Sequence, residues 1–203
     1  MASLIDAAPD LTVVAECRTV AEARAALSVR PVDVVVMDIG LPDGNGFGLA
    51  RSLRAQHPDL GIVLLSAHNV MDLLLALAPE ERAGWSYLSK TSAASASVLL
   101  GALRAAARGG SMLDPELLRA LEPRTDSPLA RLTRRQFDAL RLVATGLSNA
   151  AVAREMGITP HSVDNLLNTV YSILGVRSDD ELNSRVSAAL MVIRHGAPVG
   201  DDA

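Results

Sequence analysis

Three side chains that could take part in chemistry follow three apolar runs of the sequence. Asp38 ends "VDVVVMD", Ser66 ends "GIVLLS", and Lys90, the only lysine of the 203 residues, follows "WSYLS". A carboxylate can act as a nucleophile, while an ammonium and a hydroxyl can offset and bind the negative oxygens that form on it. Alone, Asp38 is explained equally well as the polar end of a surface strand. The three groups in this order favour a shared reactive site.

The elements that must position these groups alternate between strands and helices up to about residue 110. Uninterrupted β-branched runs such as "LTVVAEC" and "VDVVVMD" predict strands buried on both faces, and helical patterns such as "NVMDLLLALAPEERAG" separate them. This alternation predicts βαβ units and a doubly wound parallel sheet, an α/β fold. Functional groups collect past the carboxyl ends of such strands, so we expect Asp38, Ser66 and Lys90 on one rim.

These residues resemble the receiver domain of bacterial response regulators of the NarL/FixJ (LuxR-type) class. The resemblance implies a flavodoxin-like domain over residues 1–110, with Asp38 as the phosphoacceptor and Ser66, Tyr87 and Lys90 as the residues of the switch. It also implies a sensor histidine kinase as a partner and no enzymatic activity. We expect the Lys90 ammonium to lie within salt-bridge reach of Asp38. An enzyme that hydrolyses a substrate at this rim is a weaker alternative, because no histidine base is expected there and His68 is expected in a loop.

The start of the chain departs from this family. The family's first strand ends in two acidic residues that hold Mg²⁺, and "MASLIDAAPDL" matches no such strand. We expect Asp6 and Asp10 to be solvated helix-end residues, Mg²⁺ to bind only if an upstream acidic pair exists, and the chain as given not to be phosphorylated. "LTVVAEC" then either pairs directly with "VDVVVMD" or leaves a gap that another chain fills. A start placed too late and a degenerate receiver that signals without phosphate both stay open.

The sequence changes character after residue 110. Residues 111–130 hold three prolines around a short helix, "PELLRAL", and predict a linker. From Thr133 onward we find no strand signal, only four helices with a tight turn between the second and third, which predicts an all-α helix-turn-helix domain over residues 131–196 and a tail over 197–203. The expected caps of the first helix are "TRRQ" and Gly146, and the second helix, "SNAAVAREMG", is expected to end at Gly157. Thr159 and Pro160 are expected to open the third helix and Gly175 to close it, and "SDDE" to open the last helix, which runs to Gly196.

The stretch "LTRRQFDALRLVATGLSNAAVAREMGITPHSVDNLLNTVYSILGV" resembles the LuxR-type helix-turn-helix along its full length. The resemblance implies a transcription regulator that binds double-stranded promoter DNA through the third helix. It also implies a homodimer. The last helix carries apolar residues at helical spacing, Leu182, Val186, Ala189, Leu190 and Ile193, so we expect one face to pack on the helix-turn-helix and the remaining apolar surface to form the dimer. The expected DNA-binding residues are Thr159, His161, Ser162, Asn165, Asn168, Thr169 and Arg177.

The third helix carries unusual charges for this family. No lysine or arginine lies between Pro160 and Val176, and Asp164, Leu166 and Ile173 stand where the family usually carries basic residues or histidine. Asparagine can still read adenine, but lysine and arginine supply most non-specific affinity for DNA. We therefore expect replacement of Asp164 by lysine to tighten binding to any sequence. A degenerate regulator that acts through protein contacts, with weak or no DNA binding, stays open as the alternative.

Composition sets the outer limits of function. With 49% hydrophobic and 21% charged residues the chain is a folded soluble protein, and its net charge of −4 gives no general attraction to nucleic acid. A single cysteine excludes an intramolecular disulfide and a cysteine zinc cluster, and it suits the cytoplasm. We find no signal peptide and no apolar run near the ~18 residues of a membrane span, so no membrane partner is expected.

Overall fold

The computed structural model describes residues 1–67, 77, 84–119, 121–176 and 181–198. The chain divides into two compact units, Met1–Leu73 with Gly84–Met112 and Leu74–Ala83 with Leu113–Ala203. The helix predicted in "NVMDLLLALAPEERAG", apart from Leu77 and Gly84, lies outside the described residues, as do His68 and residues 178–180 of the "SDDE" box. None of the described helices is long and apolar enough to cross a membrane.

The first unit is built on a parallel sheet, as predicted. Its three described strands, Val34–Asp38, Gly61–Ser66 and Trp85–Ser89, lie side by side in that order, and Val36 of the first pairs with Val63 of the second. In chain order the described elements of this unit are α1 (Ala2–Asp6), α2 (Val20–Val29), β1 (Val34–Asp38), β2 (Gly40–Leu41), β3 (Gly44–Asn45), α3 (Gly46–Gln56), β4 (Gly61–Ser66), β5 (Trp85–Ser89) and α4 (Ala96–Ala107), with a 3₁₀ turn at Ser92–Ala94 between the last two.

Helices cover both faces of this sheet. Val63 and Leu65 of β4 pack in one apolar cluster with Leu99 of α4. On the other face, Phe47 of α3 packs against Trp85 of β5, with ring centroids 5.6 Å apart. Because side chains of a strand alternate between faces, a central strand covered on both sides must be apolar throughout, and all six residues of β4 are buried.

The prediction of a strand at "LTVVAEC" is wrong. Residues 11–17 form no strand, and β1 is an edge of the described sheet. Between this segment and β1 lies a cavity of about 920 Å³ lined by Leu11, Val13, Val34 and Val36 among others. A strand needs a neighbouring backbone about 4.8 Å away, and the gap leaves residues 11–17 without one. Of the two outcomes expected from the sequence, the gap is therefore the one found.

The second unit contains the four predicted helices. Its elements are α5 (Pro115–Arg119), β6 (Leu121–Pro123), a 3₁₀ turn at Pro128–Arg131, α6 (Arg134–Ala144), α7 (Asn149–Met156), α8 (Pro160–Leu174), α9 (Glu181–His195) and β7 (Gly196–Pro198). The predicted capping box at Thr133 is present with both hydrogen bonds, and Thr159 caps α8. Glycines with positive φ follow α6, α7 and α8 at Gly146, Gly157 and Gly175, where side chains of L-residues are strained.

The prediction that no strand follows Thr133 is also wrong. β7 pairs antiparallel with β6, so residues 196–198 close against the segment predicted as a linker. Gly196 permits this contact, because a Cβ there would lie 2.4 Å from the Val192 carbonyl oxygen and 3.0 Å from Leu121 Cβ. Three-residue strands are too short to show a period of two in sequence.

Candidate functional site

The structure brings the predicted rim residues together at the carboxyl ends of the strands. Lys90 Nζ donates to Asp38 Oδ2 at 2.6 Å, so the expected salt bridge is present. The Lys90 backbone N–H donates to the Ser66 carbonyl oxygen at 2.9 Å, which holds the residue after β5 against the end of β4. Ser66 is buried beside this pair of strand ends, and Tyr87 is buried within β5.

The loop after Asp38 is folded tightly against the rim. Gly40 N–H donates to Asp38 Oδ1 at 3.1 Å, and β2 pairs with β3 in a short hairpin. Gly46, the first residue of α3, lies so close that a Cβ would sit 1.9 Å from the Asp38 carbonyl oxygen. Asn45 caps α3 by accepting the Phe47 N–H at 2.8 Å. The "PDGNG" loop therefore needs its last glycine for space.

The rim pair is open to water. The Lys90 and Asp38 side chains are 50% and 34% exposed. At this exposure the attraction is screened, and the pair contributes about 0–1 kcal/mol to folding. The arrangement leaves a carboxylate that incoming groups can reach, next to a cation that offsets negative charge.

The donor set at this rim does not fit a magnesium ion. Asp6 Oδ1 accepts the Val13 N–H at 2.9 Å, and Asp10 forms a two-point pair with Arg104 at 2.7 and 2.8 Å. The hydrogen bond from Arg104 lowers the pKa of Asp10 to about 2. Within the described part of the chain no three His, Cys, Asp or Glu side chains are grouped to hold a metal. Since Mg²⁺ requires several oxygens in near-octahedral geometry, Asp38 alone cannot hold it.

Sequence reasoning missed a carboxylate in the same loop. Asp43 accepts the N–H groups of Val20 at 2.8 Å and Ala21 at 3.2 Å, at the start of α2. The hydrogen bond from Val20 is the main cause of the lowered pKa of Asp43. Its partners lie more than twenty residues away in sequence, so no local sequence pattern predicts the contact. Asp43 ties the loop after β2 to α2.

In the second unit, α7 and α8 form a helix-turn-helix. Val163, Leu167 and Val170 of α8 are buried, as the sequence predicts. Seven polar residues of α8 are exposed on the opposite face, namely His161, Ser162, Asp164, Asn165, Asn168, Thr169 and Ser172. Tyr171 is also buried, which the apolar pattern did not indicate. The helix thus offers an uninterrupted polar surface to solvent.

Several of the expected DNA-binding residues contact one another. Thr159 Oγ1 accepts the Ser162 N–H at 3.2 Å, and Asn165 Nδ2 lies 3.3 Å from His161 Nε2. Thr169 Oγ1 donates to the Asn165 carbonyl oxygen at 2.9 Å, which leaves its methyl group and oxygen lone pairs for other contacts. Arg177 lies outside the described residues.

A polar network around Asn149 was not anticipated from the sequence. Asn149 Nδ2 donates to Asp164 Oδ1 at 2.5 Å, and Asn149 Oδ1 accepts from Arg185 at 2.5 Å. A second guanidinium nitrogen of Arg185 donates to the Leu147 carbonyl oxygen at 2.5 Å. The residues are up to 38 positions apart, so only the folded unit reveals the network.

The apolar residues of α9, from which both packing on the helix-turn-helix and a dimer are expected, are described only in part. Leu190 is buried within its own unit, and so is Val192. The side chains of Leu182, Val186, Ala189 and Ile193 lie outside the described part of the structure. The dimer therefore stays a prediction.

Comparison with protein-family models finds two matches. Residues 1–100 match the response regulator receiver domain, and residues 130–191 match the luxR family of bacterial regulatory proteins. The two matches follow one another along the chain in the order that the sequence motifs predict.

Comparison with individual proteins gives the same result. The chain is 29% identical to the DNA-binding transcriptional activator DevR/DosR of Mycobacterium tuberculosis over 99% of its length and 92% of that protein. It is 32% identical to the nitrate/nitrite response regulator protein NarL of Escherichia coli, covering 93% of this chain and 86% of that one. A structure of the Salmonella typhimurium RcsB response regulator shares the fold, with a TM-score of 0.50, 21% identity and coverage of 92% and 89%. These relatives are regulators rather than enzymes, and the chain belongs to the NarL-type family of two-domain response regulators with a receiver domain and a LuxR-type helix-turn-helix domain.

Proposed function

We propose that this protein binds double-stranded promoter DNA as a homodimer, with α8 in the major groove and Asn165 and Asn168 toward the base edges. The observation that carries the proposal is the exposed polar face of α8 on a fully capped helix-turn-helix. An asparagine amide has one donor and one acceptor side, which matches the major-groove edge of adenine. Thr169 adds a methyl group and lone pairs on the same face.

Affinity for the DNA backbone comes from outside α8. Arg131, Arg134, Arg135 and Arg154 are exposed on the elements around the helix-turn-helix, and α8 itself carries no lysine or arginine. Each arginine that neutralises a phosphate releases counterions and steepens the salt dependence. With so few cations, base contacts must supply a large share of the binding free energy, and preference for one sequence should be pronounced.

The first unit controls this activity without ordinary magnesium-dependent phosphorylation. Asp38 and Lys90 form the pair expected at a phosphoacceptor, but the described residues include no group of three His, Cys, Asp or Glu side chains that could hold a metal ion. Acetyl phosphate with Mg²⁺ should therefore give no phosphorylated species in intact-mass spectra. A phosphorylated species that disappears in Asp38→Asn would contradict this part of the proposal.

DNA binding is tested by enrichment. The full chain is mixed with a random-sequence duplex library, bound duplexes are amplified over several rounds, and the enriched sequence is compared with a scrambled duplex of equal composition. Asn165→Ala should weaken binding to the enriched duplex alone, by roughly 5- to 150-fold if it makes a bidentate base contact. Arg154→Ala is the matched variant, and it should weaken binding to both duplexes by the same factor.

The alternative function remains distinguishable in this experiment. A protein that acts through protein contacts enriches no sequence at low salt, and Asp164 on the exposed face of α8 is the feature that favours it, because a carboxylate repels phosphates. Failure of the wild type to enrich any sequence would replace the DNA-binding proposal with this one.

A further inference from the structure

One polar chain links three elements around the proposed DNA-reading helix. We call it the Asn149 bridge, defined by Leu147, Asn149, Asp164 and Arg185. Arg185 of α9 donates to Leu147 in the turn before α7 and to Asn149, the first residue of α7, and Asn149 donates in turn to Asp164, the fifth residue of α8. Both ends of the bridge carry a charge, and the Asn149 amide stands between them.

The chemistry of the partners fixes the bridge in one orientation. An ionised carboxylate only accepts hydrogen bonds, and a guanidinium only donates them. Asn149 must therefore turn its Nδ2 toward Asp164 and its Oδ1 toward Arg185, and a flipped amide would lose both contacts. Hydrogen bonds to charged groups are stronger than those between neutral groups. Arg185 is partly buried, which shields its contacts from water.

The position of Asp164 makes the bridge relevant to base reading. Asp164 directly precedes Asn165, and Asn168 follows one turn later on the same side of the helix, because residues four apart are neighbours on a helix surface. The buried side chains of Val163, Leu167 and Val170 fix the rotation of α8 about its axis. A contact that holds Asp164 adds a restraint on the exposed polar face, next to both asparagine amides.

We propose that the Asn149 bridge positions α8 for sequence discrimination, with Asp164 as a positioning residue rather than a base contact or a mere source of repulsion. This inference rests on the proposed DNA binding. It also changes the expectation for Asp164→Lys. The variant should bind any duplex more tightly but lose discrimination, because lysine cannot accept the Asn149 hydrogen bond.

Two variants of Asp164 separate positioning from charge. Asp164→Asn and Asp164→Ala both remove the negative charge, but only asparagine keeps an oxygen that can accept from Asn149. Asp164→Asn should keep the ratio of affinities for enriched and scrambled duplex within about threefold of wild type. Asp164→Ala should reduce that ratio by more than threefold and up to about tenfold, the loss expected for a hydrogen bond that is open to solvent. Binding to the scrambled duplex should change equally in both.

Asn149→Ala tests the same hydrogen bond from the donor side. It should reduce the ratio as Asp164→Ala does, and the double variant should lose no more than either single one. Melting temperatures of all variants are measured alongside, so that unfolding is recognised. The side-chain NH₂ signals of Asn149 in ¹⁵N spectra should move in Asp164→Ala and stay near their wild-type position in Asp164→Asn.

Each outcome decides one question. If the wild type enriches a sequence and Asp164→Ala discriminates as well as Asp164→Asn, the bridge has no positioning role, while the proposed function stands. If the loss of discrimination in the double variant equals the sum of the losses in Asn149→Ala and Asp164→Ala, the two residues act separately and the inference is overturned. If the wild type enriches no sequence, the proposed function fails, and the inference fails with it.

Discussion

Replacing Gly46 by alanine should open the loop that holds Asp38. The added Cβ would lie 1.9 Å from the Asp38 carbonyl oxygen and 3.1 Å from Met37 Cγ. Ordinary carbon–oxygen contacts are about 3.3 Å, so the backbone must move by more than about 1 Å. Both neighbours belong to β1, which is held in register with β4 along its length, and the strand cannot give way easily.

The cost of this movement follows from two contributions. Overpacking costs about 1–3 kcal/mol, and the Gly46 N–H to Ile39 carbonyl hydrogen bond, 3.0 Å long, is worth roughly 0.5–1.5 kcal/mol. The free energy of unfolding of the first unit should fall by roughly 2–4 kcal/mol. Gly48→Ala is the matched control, because nothing lies within 4 Å of its added Cβ. It lies inside α3, where alanine should raise that free energy by about 0.5–1 kcal/mol.

Trp85 fluorescence measures the effect. It is the only tryptophan, it is buried in β5, and its ring packs against Phe47 of α3. Denaturant unfolding of the full chain should shift in opposite directions for Gly46→Ala and Gly48→Ala. Equal, small shifts for both variants would refute the close approach of α3 to Asp38.

Three further predictions concern the salt bridges of Asp38 and Asp10 and the core of the second unit. Lys90→Met should lower the free energy of unfolding by less than about 1 kcal/mol, with the difference shrinking in high salt, because its pair with Asp38 is exposed. Folding lowers the pKa of Asp10 from 3.8 to about 2. The ionised carboxylate therefore contributes its full stabilisation above about pH 4, and this contribution is lost as the pH falls toward 2. In urea unfolding across this window, the free energy of unfolding of Asp10→Asn should depend less on pH than that of the wild type. Leu167→Ala should lower the free energy of unfolding of the second unit by about 2–5 kcal/mol, and with it the melting temperature, because Leu167 is buried in α8. An unchanged melting transition in circular dichroism would contradict its place in the core.

The rim and the helix caps were predictable because their signals are local or follow from topology. Parallel strands bring their carboxyl ends to one edge, so Asp38 and Lys90 meet although 52 residues separate them. Thr133 and Gly175 act within one helix, and their residue types alone indicate a start and a stop.

The incorrect or missing predictions concern contacts between segments that lie far apart in the sequence. Residues 11–17 have the composition of a strand, but a strand exists only with a partner, and β1 lies across a cavity. The ribbon of β6 and β7 joins segments more than seventy residues apart, with pairs such as Leu121 and Pro198 that no periodicity connects. The Asn149 bridge likewise depends on where α9 packs. Such contacts between polar groups far apart in sequence leave no pattern in either segment.

The salt dependence of DNA binding tests the central claim most directly. The full chain is titrated against the enriched and the scrambled duplex at several salt concentrations. We expect a clear preference for the enriched duplex and a slope of log K against log salt no steeper than about −4.5 per protomer. This limit assumes about 0.9 from each of five phosphate contacts, made by Arg131, Arg134, Arg135, Arg154 and the expected contact Arg177. Equal affinity for both duplexes, or no binding to either at low salt, would contradict the account of α8 as the helix that reads DNA.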